Sequence, residues 1–349
     1  MENVNEPSPI TREDGAVDMI AFARETTIRD QMAIYAGSVK VVAPAKVNLL
    51  LNIKDKREDG YHNCVNIMHA LMLHDVLYVR SRPLDTWIEG PAIGTSAGTP
   101  ELPEVRVIMV GCEGVEAPIV ANEDNLVTRA VLALAKACGQ GQGECIDVRV
   151  EKHIPSQAGL GGGSSDAAAA LVGVAKLWGI PADDERIEQC AAQLGADVAF
   201  FLKGGCARFV GAGEVFDKQL VPAKNNVVLV KPPLGLSTAE VYREFDTDPQ
   251  PVSPEADALN PDAAADVVCE NNLSAPAARL MPLLGELQEW LEGQPCVSQA
   301  VLCGSGSTMC AFCDSFENAM KLSALASANG YWTRATTLAN LKAAVVPQK

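Results

Sequence analysis

The stretch that most constrains this chain runs Ile154-Pro-Ser-Gln-Ala-Gly-Leu-Gly-Gly-Gly-Ser-Ser-Asp166. Before it, residues 145–152 alternate Ile146, Val148 and Val150, a strand pattern. After it, an Ala-rich run to Trp178 reads as a helix. Glycines at a strand-to-helix junction let backbone approach a ligand closely. The helix start offers unpaired N–H groups and a partial positive charge, which together suit a phosphate. Ser164, Ser165 and Asp166 add hydroxyls and an acidic cap at the open first turn. Ala167, Ala168, Ala169 and Ala170 carry no bulk, so this helix can pack close to its neighbours. No Gly-Lys-Ser/Thr ends the loop, so it is not a Walker A sequence, and the third glycine of a dinucleotide fingerprint is replaced by Ser164. A Gly-rich turn can also be only a turn, and the rest of the chain decides.

A length of 349 residues predicts two domains, and 48% apolar content supplies a full core. No apolar run reaches membrane-spanning length and nothing reads as a signal peptide, so the expectation is a cytoplasmic protein without a membrane partner. The net charge of −16 argues against nucleic acid as a partner, because binding its phosphates needs a basic face. A polyphosphate site here has to be locally positive. Lys40, Lys46, Lys54, Lys56 and Arg57 cluster early, and Lys152 and His153 precede the glycines. The 11 cysteines lack framework spacing and read as reduced, mostly buried thiols. Cys310 and Cys313 form one CxxC in an apolar run, too few ligands for a zinc site.

Residues 1–36 read as an N-terminal extension, acidic at first and weakly helical over 17–36. Strands are expected at 39–43 and 44–53, the second placing Lys46 and Asn48 on one face. Asp59-Gly60 signals a turn carrying Tyr61 and His62. A strand follows at 76–82, a loop insertion at 90–104, and a helix over 122–138 that buries Leu126, Ala130, Val131 and Leu134 and stops at Gly139. A helix starts at Pro181 and ends near Gly195. Asp197 beyond it is either a cap or a functional carboxylate. Then come a strand at 227–231, a helix at 238–245, an acidic Pro/Ala-rich connection at 246–266, a helix over 275–292, strands at 297–302 and 309–313, a helix at 316–328 and a strand at 331–337. That order, βα(α)ββαβ, suggests a ferredoxin-like unit. The expected domains are 37–222 and 223–349.

Five segments, read together, resemble the GHMP kinases: Pro44-Ala-Lys-Val-Asn-Leu49, Gly60-Tyr-His62, the glycine loop, Gly195-Ala-Asp-Val-Ala-Phe-Phe201 and Cys303-Gly-Ser-Gly-Ser-Thr308. The resemblance covers about residues 39–340. It implies an α+β, two-domain GHMP kinase fold with a ribosomal protein S5 domain 2-like N-terminal domain and a ferredoxin-like C-terminal domain. It implies ATP and Mg²⁺ as cofactors. The triple glycine and the Tyr-His pair resemble the branch whose alcohol substrate carries a cytidine diphosphate, in isoprenoid precursor synthesis. On that resemblance, Asp197 accepts the hydroxyl proton and Lys46 stands between hydroxyl and γ-phosphate. Asn48 lies near the same hydroxyl. Tyr61, His62 and Tyr242 hold the base, with Thr238 on the same side. The phosphates lie on Pro155, Ser156, Gln157, Ala158, Gly159, Leu160, Gly161, Gly162, Gly163, Ser164 and Ser165, with Asn125 and Lys152 as further nucleotide contacts. Metal ligands stay unassigned, Ser165 and Asp166 being candidates. The family more often has proline where Ala199 stands. A kinase of the same fold acting on homoserine, mevalonate or a sugar, and a non-catalytic binder on this scaffold, are the alternatives. Oligomeric state is open.

Overall fold

The computed structural model describes residues 37–84, 95–96, 101–111 and 124–347. The helix expected over 17–36 and most of the 90–104 insertion lie outside them.

The strands expected at 39–43 and 44–53 are one, β1 (Val39–Lys56). Pro44 survives inside it because the ladder shifts register between Pro44 and Lys46, where a missing N–H is tolerated. Gly60 (φ 88°) turns the chain, and the Arg57 N–H donates to the Tyr61 carbonyl at 2.6 Å, so the expected Asp59-Gly60 turn forms. It leads into β2 (His62–Pro83), of which only 76–82 was legible as strand. Residues 66–71 of β2 are buried on both faces, which removes the alternation that marks a half-exposed strand.

β1 and β2 are the middle of a large sheet. β5 (Glu144–Lys152) pairs antiparallel with β2, β4 (Glu104–Gly111) parallel with β5, and β3 (Thr95–Ser96) with β4. β6 (Cys206–Val210) joins β2 and carries β7 (Val215–Leu220). Four helices share one core with this sheet: α1 (Leu126–Cys138), α2 (Gly162–Leu177), α3 (Glu185–Leu194) and α4 (Ala196–Lys203). α1 begins where the Val127 N–H donates to the Asn125 side chain at 2.9 Å and ends at Gly139, φ 63°. The poly-alanine run does what its lack of bulk allows. Ala167 to Ala170 are fully buried, and α2 lies so close to the sheet that a Cβ on Gly173 would come within 2.7 Å of Val79.

The second sheet is ferredoxin-like, as expected. β8 (Asn226–Lys231), β10 (Val297–Leu302), β11 (Met309–Cys313) and β12 (Trp332–Thr337) take the order β10-β11-β8-β12, every pairing antiparallel. α5 (Thr238–Thr247) follows β8, and α9 (Phe316–Ala328) precedes β12. The connection after α5 contains a short α6 (Pro254–Ala258), capped by Ser253. The single helix expected over 275–292 is two, α7 (Ser274–Leu280) and α8 (Leu283–Glu292). Pro282 has no N–H to continue α7 and pushes Met281 out of the helical region, to φ −139° and ψ 86°.

The two halves are clasped together. β9 (Glu270–Asn271) lies parallel to β1, Leu338 bridges to Leu71, and β13 (Ala344–Val345) returns to pair with Val41 and Val42. One apolar cluster takes Val47 and Leu49 from β1, Ile154 and Leu160 from the glycine loop, and Val301 and Cys310 from the second sheet. The loop is thus seated where both halves meet. Among the described residues no helix is long and apolar enough to cross a membrane.

Candidate active site

The glycine loop joins β5 to α2. Gly159 and Gly161 hold φ of 72° and 73°, a region that side-chain-bearing residues avoid. A Cβ on Gly159 would sit 1.8 Å from the Cys303 carbonyl oxygen. Glycine there is what lets the 303–308 turn, the other Gly-rich segment, lie against the loop. The Thr308 N–H also donates to the Ala158 carbonyl, at 3.4 Å. α2 starts at Gly162, and Gly161 at its cap has no side chain to occupy the first N–H groups. The loop and the start of α2 wall a cleft of about 340 Å³, lined without a break from Ile154 through Ser164 and closed by Met109, Asn125, Leu126, Val127, Lys152 and Asp166. Pro155, Ser156, Gln157, Ala158, Gly159, Leu160, Gly161, Gly162, Gly163, Ser164, Asn125 and Lys152 are therefore brought to one place. Ser165 lies behind them, fully buried, its Oγ without a hydrogen-bond partner.

Asp166 is not the acidic cap expected from its position. Its carboxylate turns inward and is 1% exposed. Lys152 Nζ donates to Asp166 Oδ2 at 2.6 Å and also to Asp75 Oδ2. The other Asp75 oxygen accepts the N–H groups of His153 and Ile154, at 2.5 and 2.8 Å. One ammonium thus ties β2, the end of β5 and the first turn of α2 beneath the loop. Burial pushes the Asp166 carboxyl well above the carboxylate range, Lys152 opposes this, and the Asp75 charge adds to it. For Lys152 burial acts downward, but the two carboxylates outweigh it and hold its pKa above the ordinary value. Only 3% exposed, Lys152 lines the cleft with its ammonium already engaged by the two carboxylates.

A second cluster adjoins the loop at Gly161, where a Cβ would come within 3.1 Å of the Lys46 side chain and 2.7 Å of Phe201. The Lys46 N–H donates to the Leu160 carbonyl at 3.0 Å. Its Nζ donates to Asn48 Oδ1 at 2.7 Å, and Asn48 Nδ2 donates to Asn66 Oδ1 at 2.8 Å, so the two side chains share a face as the strand period requires. Lys46 Nζ stands 3.6 Å from Asp197 Oδ2. Asp197 lies in the first turn of α4, whose cap at Gly195 makes no side-chain bond. Of the two uses open to this carboxylate, it is paired with Lys46. Buried Phe201, four residues on and so on the same side of α4, anchors the helix under the loop. Ala199 stands in the same helix, and Asp197 reaches Lys46 with it in place. Asn271 braces the facing turn, its Nδ2 donating to the carbonyls of Leu302 at 2.8 Å and Gly304 at 2.7 Å.

The third cluster is aromatic. Tyr61, at the β1–β2 turn, is 67% exposed. His62 is buried, its Nε2 2.7 Å from Asp246 Oδ1, with the Tyr242 ring centroid 5.7 Å away and Phe245 edge-on at 5.9 Å. Burial first, then the Cys64 and Asp197 charges, push the Tyr242 phenol above its ordinary range. Thr238, one turn earlier on α5, bonds instead to Ser305 of the Gly-rich turn, with 2.9 Å between hydroxyls. Sequence reasoning passed over Asn66, Asp75, Asp246 and Asn271. Asp75 alone left a signal, a carboxylate inside an apolar strand run. His69 is structural: it is buried, with Nδ1 on the Ala70 carbonyl and Nε2 accepting the Ala223 N–H.

The arrangement supplies an anion cradle, a lysine–carboxylate pair at its end and an aromatic cluster beyond. That is the equipment for moving a phosphoryl group onto an alcohol held by a ring system. Residues 125–205 match the GHMP kinases N terminal domain. A 4-diphosphocytidyl-2-C-methyl-D-erythritol kinase of Desulfitobacterium hafniense is 36% identical over 295 residues, covering 83% of this chain and 92% of that protein. A crystal structure of 4-(cytidine 5'-diphospho)-2C-methyl-D-erythritol kinase superposes with a TM-score of 0.63 at 29% identity, covering 86% of this chain and 98% of the other. A homoserine kinase from Cytophaga hutchinsonii, 16% identical, shares the fold alone, with a TM-score of 0.61 over 88% of this chain and 97% of its own. By this likeness in sequence across most of its length, the chain belongs to the 4-diphosphocytidyl-2-C-methyl-D-erythritol kinase family of the GHMP kinases.

Proposed function

We propose that the chain transfers the γ-phosphoryl group of ATP to the 2-hydroxyl of 4-diphosphocytidyl-2-C-methyl-D-erythritol, giving its 2-phosphate and ADP in the non-mevalonate route to isoprenoid precursors. The observation that carries this is the contiguity of the three clusters. Gly161 lies against the Lys46 side chain, Lys46 pairs with Asp197, and Tyr242 packs beside His62 where the Asp197 charge acts on its phenol. The loop from Pro155 to Ser165 takes the ATP phosphates on backbone N–H groups and the start of α2. Asn125, on the cleft wall, stands at the adenine end, while Lys152 serves the loop from below.

Phosphoryl transfer is chiefly positioning and charge stabilisation. Lys46 meets the charge that develops on the transferring group, and its bond to Asn48 fixes where the ammonium stands. Asp197 orients the hydroxyl and takes its proton late, since a carboxylate is a weak base for an alcohol. Tyr61, His62 and Tyr242 hold the cytosine, adding specificity away from the reacting centre. Thr238 positions the 303–308 turn through Ser305. Mg²⁺, when bound, neutralises phosphate oxygens. The buried and partnerless Ser165 Oγ and Asp166 Oδ1, in the first turn of α2, are the protein oxygens that would hold it. A cytoplasmic setting accords with the ten described cysteines, all of them free thiols.

The test is ADP release from ATP and Mg²⁺ with the cytidyl alcohol, beside homoserine and mevalonate. Turnover with the cytidyl compound alone is expected, with kcat falling on the order of 10²–10⁴-fold in Asp197→Asn. Turnover with another alcohol, or an undiminished variant, overturns the reading.

A further inference from the structure

Asp246 belongs to no motif, yet it holds the ring expected to meet the base. It lies in the last turns of α5, and both of its oxygens are engaged. Oδ1 is 2.7 Å from His62 Nε2, and Oδ2 accepts from Lys56 Nζ. The Lys56 hydrogen bond first, and the His62 bond with it, hold the Asp246 carboxyl below its usual range, so the group is an acceptor only. An acceptor facing Nε2 requires the hydrogen to be on Nε2. In the neutral form of the ring Nδ1 then has a lone pair and no hydrogen. Tyr242 and Phe245 pack against the ring, and turning it over would break the Asp246 bond.

We infer that Asp246 is a specificity-determining positioning residue. By fixing the His62 tautomer it makes Nδ1 an acceptor, which matches the exocyclic amino group of a cytosine and opposes the carbonyl that a uracil has there. This rests on His62 as a base contact, the reading proposed above. An amino hydrogen on Nδ1 forms a hydrogen bond, whereas a carbonyl oxygen sets two lone pairs against each other in a buried place. The expected preference for the cytidyl over the uridyl substrate is about 10–100-fold in kcat/KM.

The experiment compares the cytidine- and uridine-diphosphate-linked alcohols as substrates of the full chain, in the wild type, Asp246→Leu and Asp246→Glu. It also records the ¹⁵N shifts of the His62 ring in the wild type at a pH where the ring is neutral. The expected result is hydrogen on Nε2 in the wild type, loss of most of the base preference in Asp246→Leu through a raised KM for the cytidyl substrate, and partial recovery in Asp246→Glu. A leucine variant that keeps the wild-type preference, or a wild-type ring carrying its hydrogen on Nδ1, overturns the assignment of Asp246 and leaves the cytosine pocket standing. A wild type that accepts both bases equally overturns the pocket and this inference together. The ring shifts need no variant, so a poorly folded leucine form does not shelter the idea.

Discussion

Replacing Lys152 by methionine keeps the length of the side chain and removes its charge. Asp75 and Asp166 would then face each other in a place where they are 0% and 1% exposed. The loss differs between them. Asp75 keeps two backbone donors, from His153 and Ile154. Asp166 keeps none, because its second oxygen already lacks a partner. Removing one member of a buried ion pair destabilises by about 3–5 kcal/mol, and Lys152→Met should fall in that range near neutral pH. The pH dependence has a definite sign. A carboxyl whose folded pKa lies above its unfolded value of about 3.9 destabilises nothing below that value. Its penalty grows as pH rises, by up to about 1.4 kcal/mol per unit. Asp166 is already raised to about 8, and loss of the cation raises it further, so the deficit of the variant should stay level from about pH 5 to about pH 8 and grow as pH rises above about 8. The raised pKa of Lys152 itself keeps its contribution whole below about pH 10.4, outside this window. Urea midpoints followed by tryptophan fluorescence measure the effect, and adding Asp166→Asn to Lys152→Met should restore more than half of the loss. An unchanged midpoint with a raised KM for ATP would falsify the clamp and return Lys152 to the role of nucleotide contact.

Gly159→Ala should cost about 1–3 kcal/mol from its left-handed backbone alone. It should also lower kcat/KM at least tenfold, since its Cβ would force the 303–308 turn away from the loop; wild-type kinetics would refute the close approach. Asn271→Ala leaves the Leu302 and Gly304 carbonyls without their donor and should lower stability by about 2–3 kcal/mol in urea titration, a change under about 0.5 kcal/mol counting against the brace. The thiols of Cys64, Cys145, Cys206 and Cys313 are each pushed up to about 12, chiefly by burial. At pH 8 the thiolate fraction is then on the order of one in ten thousand, so Ellman's reagent should reach these thiols only in denaturant. Labelling of the native protein within minutes would contradict that.

Local chemistry settled much of this protein in advance. The Gly-rich loop, the Asp59-Gly60 turn, the poly-alanine helix and the βα(α)ββαβ order each follow from residues adjacent in the chain, and each formed. Elements failed to be legible where burial on both faces erased the alternation, as in the first half of β2, or where one proline outweighed an apolar run, as at Pro282. The site divides in the same way. Its motifs, with Lys46 and Asp197 among them, could be named from short segments. The residues that hold those motifs in place could not, because Asp75, Asp246 and Asn271 act through partners distant in sequence. What the sequence determined by itself was the set of short-range conformations and the chemistry of each segment, since φ/ψ preference and side-chain type are local. What only the tertiary structure decided was which charges meet. It turned Asp166 inward, committed Lys152 beneath the loop and joined His62 to Asp246, because an ion pair depends on distance in space and the chain encodes that distance only through the whole packed core.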